Sequence, residues 1–485
     1  MQYEPVIGLE IHAQLLTATK IFCGCSTAVE AAPNTHVCPV CLGLPGALPV
    51  LNRKAVDGAI RAALALKCTV QERSNFARKN YFYPDLPKGY QISQYEQPLA
   101  TDGCLEYTTT GESKRVGIIR VHLEEDAGKS LHEGFPDSQW KTYLDFNRSG
   151  VPLIEIVTRP DLRSAAEAAN FFRRLRQLLM AIGVNDGNMQ EGSLRCDANV
   201  SVRPVGSPAL GVKAEVKNLN SFRFLERALE HETDRQIRVL TAGGRVQQET
   251  RLWNDETHKT QAMRSKEEAH DYRYFPEPDL PPLRITRERI EAVRATLPEL
   301  PDARRQRVMA AYGLSERDVA ALEGNELIPY FEETAQALGH PRAAFNWVSG
   351  ELTRKMNELG MGFDMARVPP PALAALIQLV ERGAISHSAG KEVFVKMYES
   401  GRSARELVEA EGLAQIDDRN ALLAAVRAVV EGNEAAVAGY RKGKAGTFGF
   451  LVGQVMKSTK GKANPRLVNE LLQAELEGAT PRQPE

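Results

Sequence analysis

The first apolar run of the sequence, residues 6–15, has polar side chains at every second position, which predicts a β-strand with one polar face. Glu10, His12 and Gln14 lie on that face, and the residues that separate them are apolar. A carboxylate beside an imidazole can bind a metal ion or transfer a proton. The same pattern is also typical of a sheet with one solvated side, so this run leaves both interpretations open.

The run 119–126 ends in three consecutive acids, Glu124, Glu125 and Asp126. Strand alternation places His122 and Glu124 together on its polar face. Holding three carboxylates close together costs free energy unless a positive group lies among them. A divalent cation would supply that charge, and we therefore predict one here.

Two further runs alternate in the same way. Residues 191–203 carry seven polar side chains on one face, including Asp197, and residues 213–217 place Lys217 on theirs. If all four runs share a sheet, their polar faces form a concave surface that suits Mg²⁺ and a nucleoside triphosphate. The sequence has no G-x-x-x-x-G-K-[ST], G-x-G-x-x-G or G-x-S-x-G motif. We therefore predict a phosphoryl-transfer site that is neither a P-loop nor a Rossmann fold, and no serine nucleophile.

Four of the seven cysteines lie in two close pairs near the N-terminus. Cys23 and Cys25 form the first pair, and Cys38 and Cys41, with the usual two-residue spacing, form the second. Four thiolates in this arrangement predict a tetrahedral Zn²⁺, with His36 as a possible substitute for one thiol. The competing interpretation is a group of free buried thiols. Zinc with four protein ligands has no open position, so we expect it to be structural.

Residues 441–466 contain seven cations and no acid, although the whole chain has a formal charge of −1. These cations are Arg441, Lys442, Lys444, Lys457, Lys460, Lys462 and Arg466. Solvated cationic faces usually include interspersed acids. We therefore predict that this segment binds the phosphate backbone of RNA rather than serving only as a solvated surface.

The elements that must position these residues divide the 485-residue chain into three predicted domains. Residues 1–290 alternate with period two between helical stretches, which predicts an α+β fold with a sheet-based cradle. A proline cluster ends this part, and helix-forming residues follow. We predict an all-α domain at 291–400 and a small helical tail at 401–485.

Two helices are predicted within the cradle, at 164–183 with Ser164 and Glu167 as a capping box, and at 221–241. The N-terminus resembles neither a secretory signal nor a transit peptide. No segment is apolar over the length needed to cross a bilayer. We therefore expect a cytoplasmic protein that does not insert into a membrane.

Longer motifs extend over almost the whole chain. They are V-I-G-L-E-I-H from Val6, R-K-N-Y-F-Y-P-D-L-P-K-G-Y-Q-I-S-Q from Arg78, H-L-E-E-D-A-G-K-S from His122, L-D-F-N-R-S-G-V-P-L-I-E-I from Leu144, E-G-S-L-R-C-D-A-N from Glu191, V-K-N-L-N-S from Val216 and D-Y-R-Y-F-P-E-P-D from Asp271, followed in the tail by F-G-F-L-V-G-Q-V-M-K from Phe448 and A-N-P-R-L-V-N from Ala463. In content and order they resemble the GatB family, the B subunits of the aspartyl/glutamyl-tRNA amidotransferases. Motifs of this length are highly specific.

The resemblance implies a complex that converts glutamate or aspartate on mischarged tRNA into the amide. This chain would use ATP to activate the carboxylate as an acyl phosphate, which ammonia then attacks. An amidase-type A subunit would release the ammonia from glutamine and deliver it through a channel. A small C subunit would join the two in a heterotrimer.

The resemblance also implies roles for individual residues. The residues that it places at the Mg²⁺ are His12, Glu125 and Glu155, with Glu10 and Glu124 close to them. Lys79 would lie at the mouth of the ammonia channel. Asp197 and Lys217 lie in matching motifs, and their charge suggests a catalytic role. The alternative function is a non-catalytic, zinc-stapled scaffold that binds tRNA in the same complex.

Overall fold

The structure is a computed structural model that describes residues 2–109, 112–263, 272–324, 327–359, 367–413, 419–441, 444, 446–459 and 463–477. The chain forms two compact units, Met1–Ala303 and Arg304–Glu485. Buried apolar residues of the second unit form two separate clusters, one within 308–408 and one within 422–476. The predicted α+β class with a helical C-terminal part is confirmed. The boundaries at 290 and 400 stay predictions.

The strands are β1 (Tyr3–Gln14), β2 (Thr69–Val70), β3 (Arg73–Ser74), β4 (Ala77–Asn80), β5 (Tyr90–Ser93), β6 (Ala100–Thr109), β7 (Glu112–Glu125), β8 (Lys129–Leu131), β9 (Tyr143–Asp145), β10 (Pro152–Thr158), β11 (Leu194–Pro204), β12 (Ala214–Lys217), β13 (Glu249–Asn254), β14 (Lys259–Ala262), β15 (Phe275–Pro276) and β16 (Leu283–Arg284). In the described residues, nine of them form one sheet in the order β14-β13-β12-β11-β1-β10-β7-β6-β2. Its strand pairs are antiparallel except for β12 and β13. A smaller sheet, β15-β4-β5, contacts β7 through β5.

The helices of the first unit are α1 (Arg53–Ala65), α2 (Ala165–Ala181), α3 (Phe222–Thr241) and α4 (Arg287–Arg294), and α5 (Pro301–Tyr312) begins at its end. The helices α2 and α3 confirm the two sequence predictions. The Ser164 hydroxyl accepts a hydrogen bond from the Glu167 N–H, as expected of an N-terminal cap. The Glu167 carboxylate, however, accepts from the Arg163 N–H, so the capping box is incomplete.

The second unit is helical throughout its described residues. Its helices after α5 are α6 (Glu316–Gly324), α7 (Ile328–Leu338), α8 (Pro341–Trp347), α9 (Thr353–Leu359), α10 (Pro370–Glu381), α11 (His387–Ser400), α12 (Ala404–Ala410), α13 (Arg419–Glu431), α14 (Glu434–Arg441), α15 (Gly446–Ser458) and α16 (Pro465–Glu477). A π-helical turn, Val348–Leu352, connects α8 to α9. No helix in the described part of the chain is both long enough and apolar enough to cross a membrane.

The large sheet has one apolar and one polar face. Leu9 and Ile11 of β1 are buried in a core with Ile156 of β10 and with apolar residues of α1, α2 and α3. Burying that face anchors the register of the strands, because a shift by one residue would turn every core side chain to the opposite side. The opposite face carries the polar side chains of the candidate site.

Candidate active site

The register of four neighbouring strands places one polar residue of each in a single row. His122 of β7 lies opposite Glu155 of β10, Glu155 lies opposite His12 of β1, and His12 lies opposite Arg195 of β11. Because alternate residues of a strand point to opposite faces, all four side chains lie on the polar face of the sheet. The structure thus brings together the polar faces that sequence alternation predicted.

Glu124 joins this row at the end of β7. The His12 Nε2 atom lies 3.7 Å from Glu124 Oε1 and 3.5 Å from Glu155 Oε2. The His122 Nε2 atom lies 3.6 Å from Glu124 Oε2 and 3.2 Å from Glu155 Oε2. Both glutamates are buried, and the Ser93 hydroxyl donates to Glu124 across 3.1 Å. We call His12, Glu124 and Glu155 the carboxylate cluster.

The two histidines lie against the buried carboxylates, and this contact raises the pKa of both imidazoles. Burial acts to lower the pKa of His122, but the charges of Glu155 and Glu124 outweigh it and raise that pKa to about 9. The pKa of His12 is also raised, because Glu155 and Glu124 again outweigh burial. Burial acts to raise the pKa of Glu155, but His122 and His12 hold it well below its ordinary value. Both imidazoles thus interact favourably with the carboxylates, and a cation that bound His12 would displace the proton from its imidazole.

The donor set of the carboxylate cluster fits a hard divalent cation. Each of the three residues offers one ligand atom, and these atoms lie within 4.8 Å of one another. Octahedral Mg²⁺ with bonds of about 2.1 Å places neighbouring ligand atoms about 3.0 Å apart and opposite ones about 4.2 Å apart. Small side-chain movements would bring the cluster to those distances, and a carboxylate pair is the usual protein contribution to such a site.

Glu125, which the family resemblance places at the metal, lies outside the carboxylate cluster in this structure, and its role as a metal ligand stays a prediction. The Lys88 ammonium donates to both carboxylate oxygens of Glu125, and the Ile92 N–H donates to Oε1 across 2.8 Å. Glu125 lines a separate cavity of about 210 Å³, together with Lys88 and Cys41. Consecutive residues of a strand point to opposite sides, and Glu125 accordingly faces Lys88 while Glu124 faces Ser93.

A polar cavity of about 440 Å³ opens over the carboxylate cluster. Cations from three parts of the chain line it, namely Lys79, Arg195 and Lys217. The Lys79 ammonium lies 4.9 Å from the centre of the Tyr272 ring, which positions it by a cation–π contact. The arrangement combines a metal-binding set with several positive groups, as a polyphosphate requires.

Three other predicted residues lie at the edge of this site. The Lys217 ammonium lies 2.9 Å from Asp197 Oδ2 and 2.9 Å from Glu215 Oε1. Glu10 accepts a hydrogen bond from Asn199 Nδ2 across 2.9 Å. Burial, followed by the charges of Glu155 and Glu215, raises the pKa of Glu10. Glu10 is thus adjacent to the cluster but bonded to other partners.

Sequence reasoning did not select three residues of this site. His122 could have been selected, because it shares a strand face with Glu124. Arg195 also lies on a predicted polar face, but nothing in the sequence indicates the hydrogen bond that its Nη2 donates to Asp126 Oδ1 across 2.9 Å. Ser93 belongs to β5, whose contact with β7 joins residues far apart in sequence and has no signal in the alternation pattern.

The four paired cysteines converge on one point. Their Sγ atoms lie within 4.8 Å of one another, and Cys38 Sγ is 3.9 Å from Cys41 Sγ. Zn–S bonds of about 2.3 Å in a tetrahedron place the sulfurs about 3.8 Å apart, so the set fits zinc. The hydrogen bond from Cys23, the Cys38 N–H and the Lys20 charge lower the pKa of Cys41 to about 4, against the effect of burial. The thiolate is the form that binds metal.

The cysteine loop, residues 20–41, is tied to the segment that leads into β10. The fully buried Lys20 donates to the carbonyl oxygens of His36, across 2.7 Å, and Phe146, across 3.2 Å. The Ser149 hydroxyl donates to the Cys41 carbonyl across 3.3 Å. The loop therefore supports the chain immediately before the strand that carries Glu155.

Four of the seven predicted RNA-binding cations lie within the described residues. Arg441 ends α14, Lys444 follows it, Lys457 is near the end of α15, and Arg466 is in the first turn of α16. All four are exposed. Lys442, Lys460 and Lys462 lie outside the described residues.

Two family models match the chain. A model described as the GatB/GatE catalytic domain matches residues 5–291, and one described as the GatB domain matches residues 329–476. The first contains the carboxylate cluster and the four cysteines, and the second contains the described cations of the tail.

Curated relatives match the chain along nearly its full length. The B subunit of the aspartyl/glutamyl-tRNA(Asn/Gln) amidotransferase of Thermodesulfovibrio yellowstonii is 54% identical over 97% of this chain and 99% of the relative. The protein of the same name from Geobacter sulfurreducens is 52% identical over 99% of this chain and 100% of the relative. That from Carboxydothermus hydrogenoformans is 52% identical over 98% and 99%.

Proposed function

This chain belongs to the GatB family, the B subunits of the aspartyl/glutamyl-tRNA(Asn/Gln) amidotransferases, and from this premise we propose that its carboxylate cluster is where ATP activates the substrate carboxylate. The enzyme is a ligase that forms a carbon–nitrogen bond with glutamine as amide donor. The observation that supports the cluster as the site of activation is the cavity of about 440 Å³ that joins it to Lys79, Arg195 and Lys217.

The proposed reaction has two balanced steps. A carboxylate oxygen of the glutamyl or aspartyl group on tRNA attacks the γ-phosphorus of ATP. An O–P bond forms, the bond from the γ-phosphorus to the bridging oxygen breaks, and ADP leaves with the electron pair. Ammonia nitrogen then attacks the acyl carbon, phosphate leaves, and one ammonia proton goes to the phosphate. The products are the amide on tRNA, ADP and inorganic phosphate.

The chain's own residues hold the reactants and balance their charge. His12, Glu124 and Glu155 would hold Mg²⁺, which when bound neutralises phosphate charge. The cavity cations attract the polyphosphate and stabilise the negative charge that develops during transfer. Burial of the carboxylates on the sheet fixes their position, which reduces the reorganisation that the reaction requires.

The test follows oxygen from the substrate carboxylate. In the assembled complex, with ammonia supplied directly, tRNA charged with ¹⁸O-carboxylate glutamate should transfer one ¹⁸O atom into inorganic phosphate for each amide formed. Amide formation with unlabelled phosphate would exclude an acyl phosphate. The alternative function, a non-catalytic scaffold, predicts that variants of the carboxylate cluster keep full amidation.

We also propose that the four cysteines hold a structural Zn²⁺ that maintains the cysteine loop. All four positions of a tetrahedral ion would be filled by Cys23, Cys25, Cys38 and Cys41, which leaves no open position for chemistry. His36 is therefore not needed as a ligand.

For partners, we propose an amidase-type glutaminase, a small third protein that completes the heterotrimer, and mischarged tRNA, all in the cytoplasm. The family name, which denotes one component of an amidotransferase, and the near-complete coverage of the relatives support an assembled enzyme. Lys79, at the wall of the cavity, is proposed to lie where ammonia enters. The substrate is proposed to be Glu-tRNA(Gln), Asp-tRNA(Asn) or both.

The cationic tail is expected to bind tRNA phosphates. Removing one phosphate contact should reduce the slope of log affinity against log salt by about 0.7 to 0.9, because fewer counterions are released. Combining Lys457→Glu with Arg466→Glu should therefore flatten the slope and raise the KM for tRNA, with little change in the KM for ATP. Filter binding over a series of salt concentrations measures the slope.

The control for this prediction is Arg427→Glu, in the same part of the chain. Each of the three substitutions replaces one positive charge with one negative charge. Arg427 Nε lies 3.3 Å from Glu475 Oε2, so its charge is already paired. We expect its salt slope to stay near that of the wild type. A slope unchanged in the double variant would contradict RNA binding by the tail.

A further inference from the structure

We propose that Arg195 binds the phosphoryl group that is transferred, and that Asp126 orients Arg195 for this contact. The proposal deepens the proposed function and rests on it. It adds a phosphate-binding residue that the sequence patterns did not select.

Arg195 lies beside the carboxylate cluster. Arg195 lies opposite His12 in the register of β11 and β1, on the polar face. It lines the same cavity as His12 and Glu124, and its side chain is 34% exposed. A phosphate that reached the cluster through this cavity would therefore pass within reach of the guanidinium.

The carboxylate that binds Arg195, Asp126, is itself held rigidly by several contacts. Arg195 Nη2 donates to Asp126 Oδ1 across 2.9 Å. Asp126 is 3% exposed, and its other oxygen accepts from Gln14 Nε2 across 2.8 Å and lies 3.8 Å from Arg148 Nε. The Asp126 backbone is also fixed, because its N–H donates to the Val151 carbonyl across 2.9 Å. A buried carboxylate held from several sides fixes the guanidinium it binds.

Arg195 keeps several hydrogen-bond donors once it has bound Asp126. A guanidinium has five N–H groups, and the bond to Asp126 uses one of those on Nη2. The Nε atom of Arg195 is buried and has no hydrogen-bond partner within the described residues. Because Nε is shielded from solvent, the donors that remain for a ligand are those on Nη1 and the second N–H of Nη2. Arginine is suited to this role because its planar fork matches two oxygens of a phosphate.

Lys217, another cation that lines the cavity, differs from Arg195 in its number of carboxylate partners. Its ammonium is already paired with both Asp197 and Glu215, each at 2.9 Å. Arg195 instead combines one anchoring carboxylate with spare donors next to His12. This combination suits an orientation-specific contact with the transferred group rather than general attraction of polyphosphate.

The test uses the assembled complex with ammonia supplied directly and follows transfer of phosphate from ATP. Arg195→Ala should lower kcat for this step by about 10²- to 10³-fold, the usual effect of removing one donor that stabilises transition-state charge. Free guanidinium at low millimolar concentration should restore part of the loss. Arg195→Lys should remain at least about tenfold below wild type, because an ammonium cannot form the two-pronged contact.

The matched control is Arg203→Ala, on the same strand and the same face. Arg203 donates to Glu4 across 2.7 Å and does not line the cavity. It should keep the wild-type kcat and show no response to guanidinium. Asp126→Asn should lower kcat less than Arg195→Ala and should not respond to guanidinium, because the arginine is present but poorly oriented.

Failure of this proposal can be separated from failure of the proposed function. If Glu124→Gln abolishes phosphate transfer while Arg195→Ala and Arg195→Lys keep the wild-type kcat, the cluster is catalytic and Arg195 is not. A loss in Arg195→Ala without guanidinium rescue, together with wild-type kcat in Arg195→Lys, also overturns the specific contact. If Arg195→Ala does not fold, the kcat of Arg195→Lys decides alone.

Discussion

Replacing Glu124 with glutamine is expected to reduce ammonia-dependent amidation by the assembled complex by at least about 10²-fold. The change keeps nearly the same size and removes the negative charge that would hold Mg²⁺ beside His12. His12→Ala should have a similar effect, since it removes the imidazole from the same cluster. The measurement is phosphate release from ATP with charged tRNA and ammonia, so that a defect in ammonia delivery cannot mimic a chemical one.

Glu125→Gln is the matched control, because the two glutamates are neighbours on β7 and face opposite sides. Its expected effect is lower stability by about 3 kcal/mol or more, because Lys88, whose side chain is 8% exposed, would lose its anionic partner. The folded variant should retain phosphate transfer. Basal glutamine hydrolysis by the proposed glutaminase partner should survive in both variants. Full amidation by both Glu124→Gln and His12→Ala would contradict a catalytic carboxylate cluster and would favour the non-catalytic scaffold.

The second large effect is expected at the cysteine loop. Cys41→Ser should lower the zinc content from about one ion per chain to near zero and lower the melting temperature by several degrees. Without the ion, the loop loses the centre on which Cys23, Cys25 and Cys38 converge, and the support of the segment before β10 weakens. Elemental analysis and thermal denaturation, with and without chelator, measure the two quantities.

Cys68→Ala provides the matched control for this experiment. Cys68 is also buried, but it lies outside the cysteine group. The substitution should reduce stability modestly, through weaker packing, and leave the zinc content unchanged. Wild-type protein purified without chelator and free of zinc would contradict the structural role. So would a Cys41→Ser variant that retains zinc.

The alternation of polar residues was sufficient to predict much of the site. It placed His12 on a polar face and put His122 and Glu124 together, and the sheet brings these side chains next to Glu155. The expectation of Glu125 at the metal came from the family resemblance and not from alternation, and it stays a prediction. In the structure Glu125 points away from Glu124 and pairs with Lys88, as strand geometry favours for consecutive residues.

What alternation could not predict are contacts made between distant segments. The pairing of Lys88 with Glu125 and of Ser93 with Glu124 depends on how β5 lies against β7. The hydrogen bonds between the cysteine loop and the segment before β10 depend on Lys20. In the sequence Lys20 resembles an ordinary surface lysine, but in the structure it is fully buried. Such contacts follow from tertiary packing and have no local periodic signal.

The most direct test of the central claim is to locate the metal ion. Crystals of the assembled complex with Mn²⁺ and a non-hydrolysable ATP analogue should give an anomalous peak about 2.0 to 2.4 Å from carboxylate oxygens of Glu124 and Glu155, with the γ-phosphate beside it. That result would place phosphoryl transfer at the carboxylate cluster. Ordered nucleotide with its metal at Glu125, or elsewhere in the chain, would contradict the account.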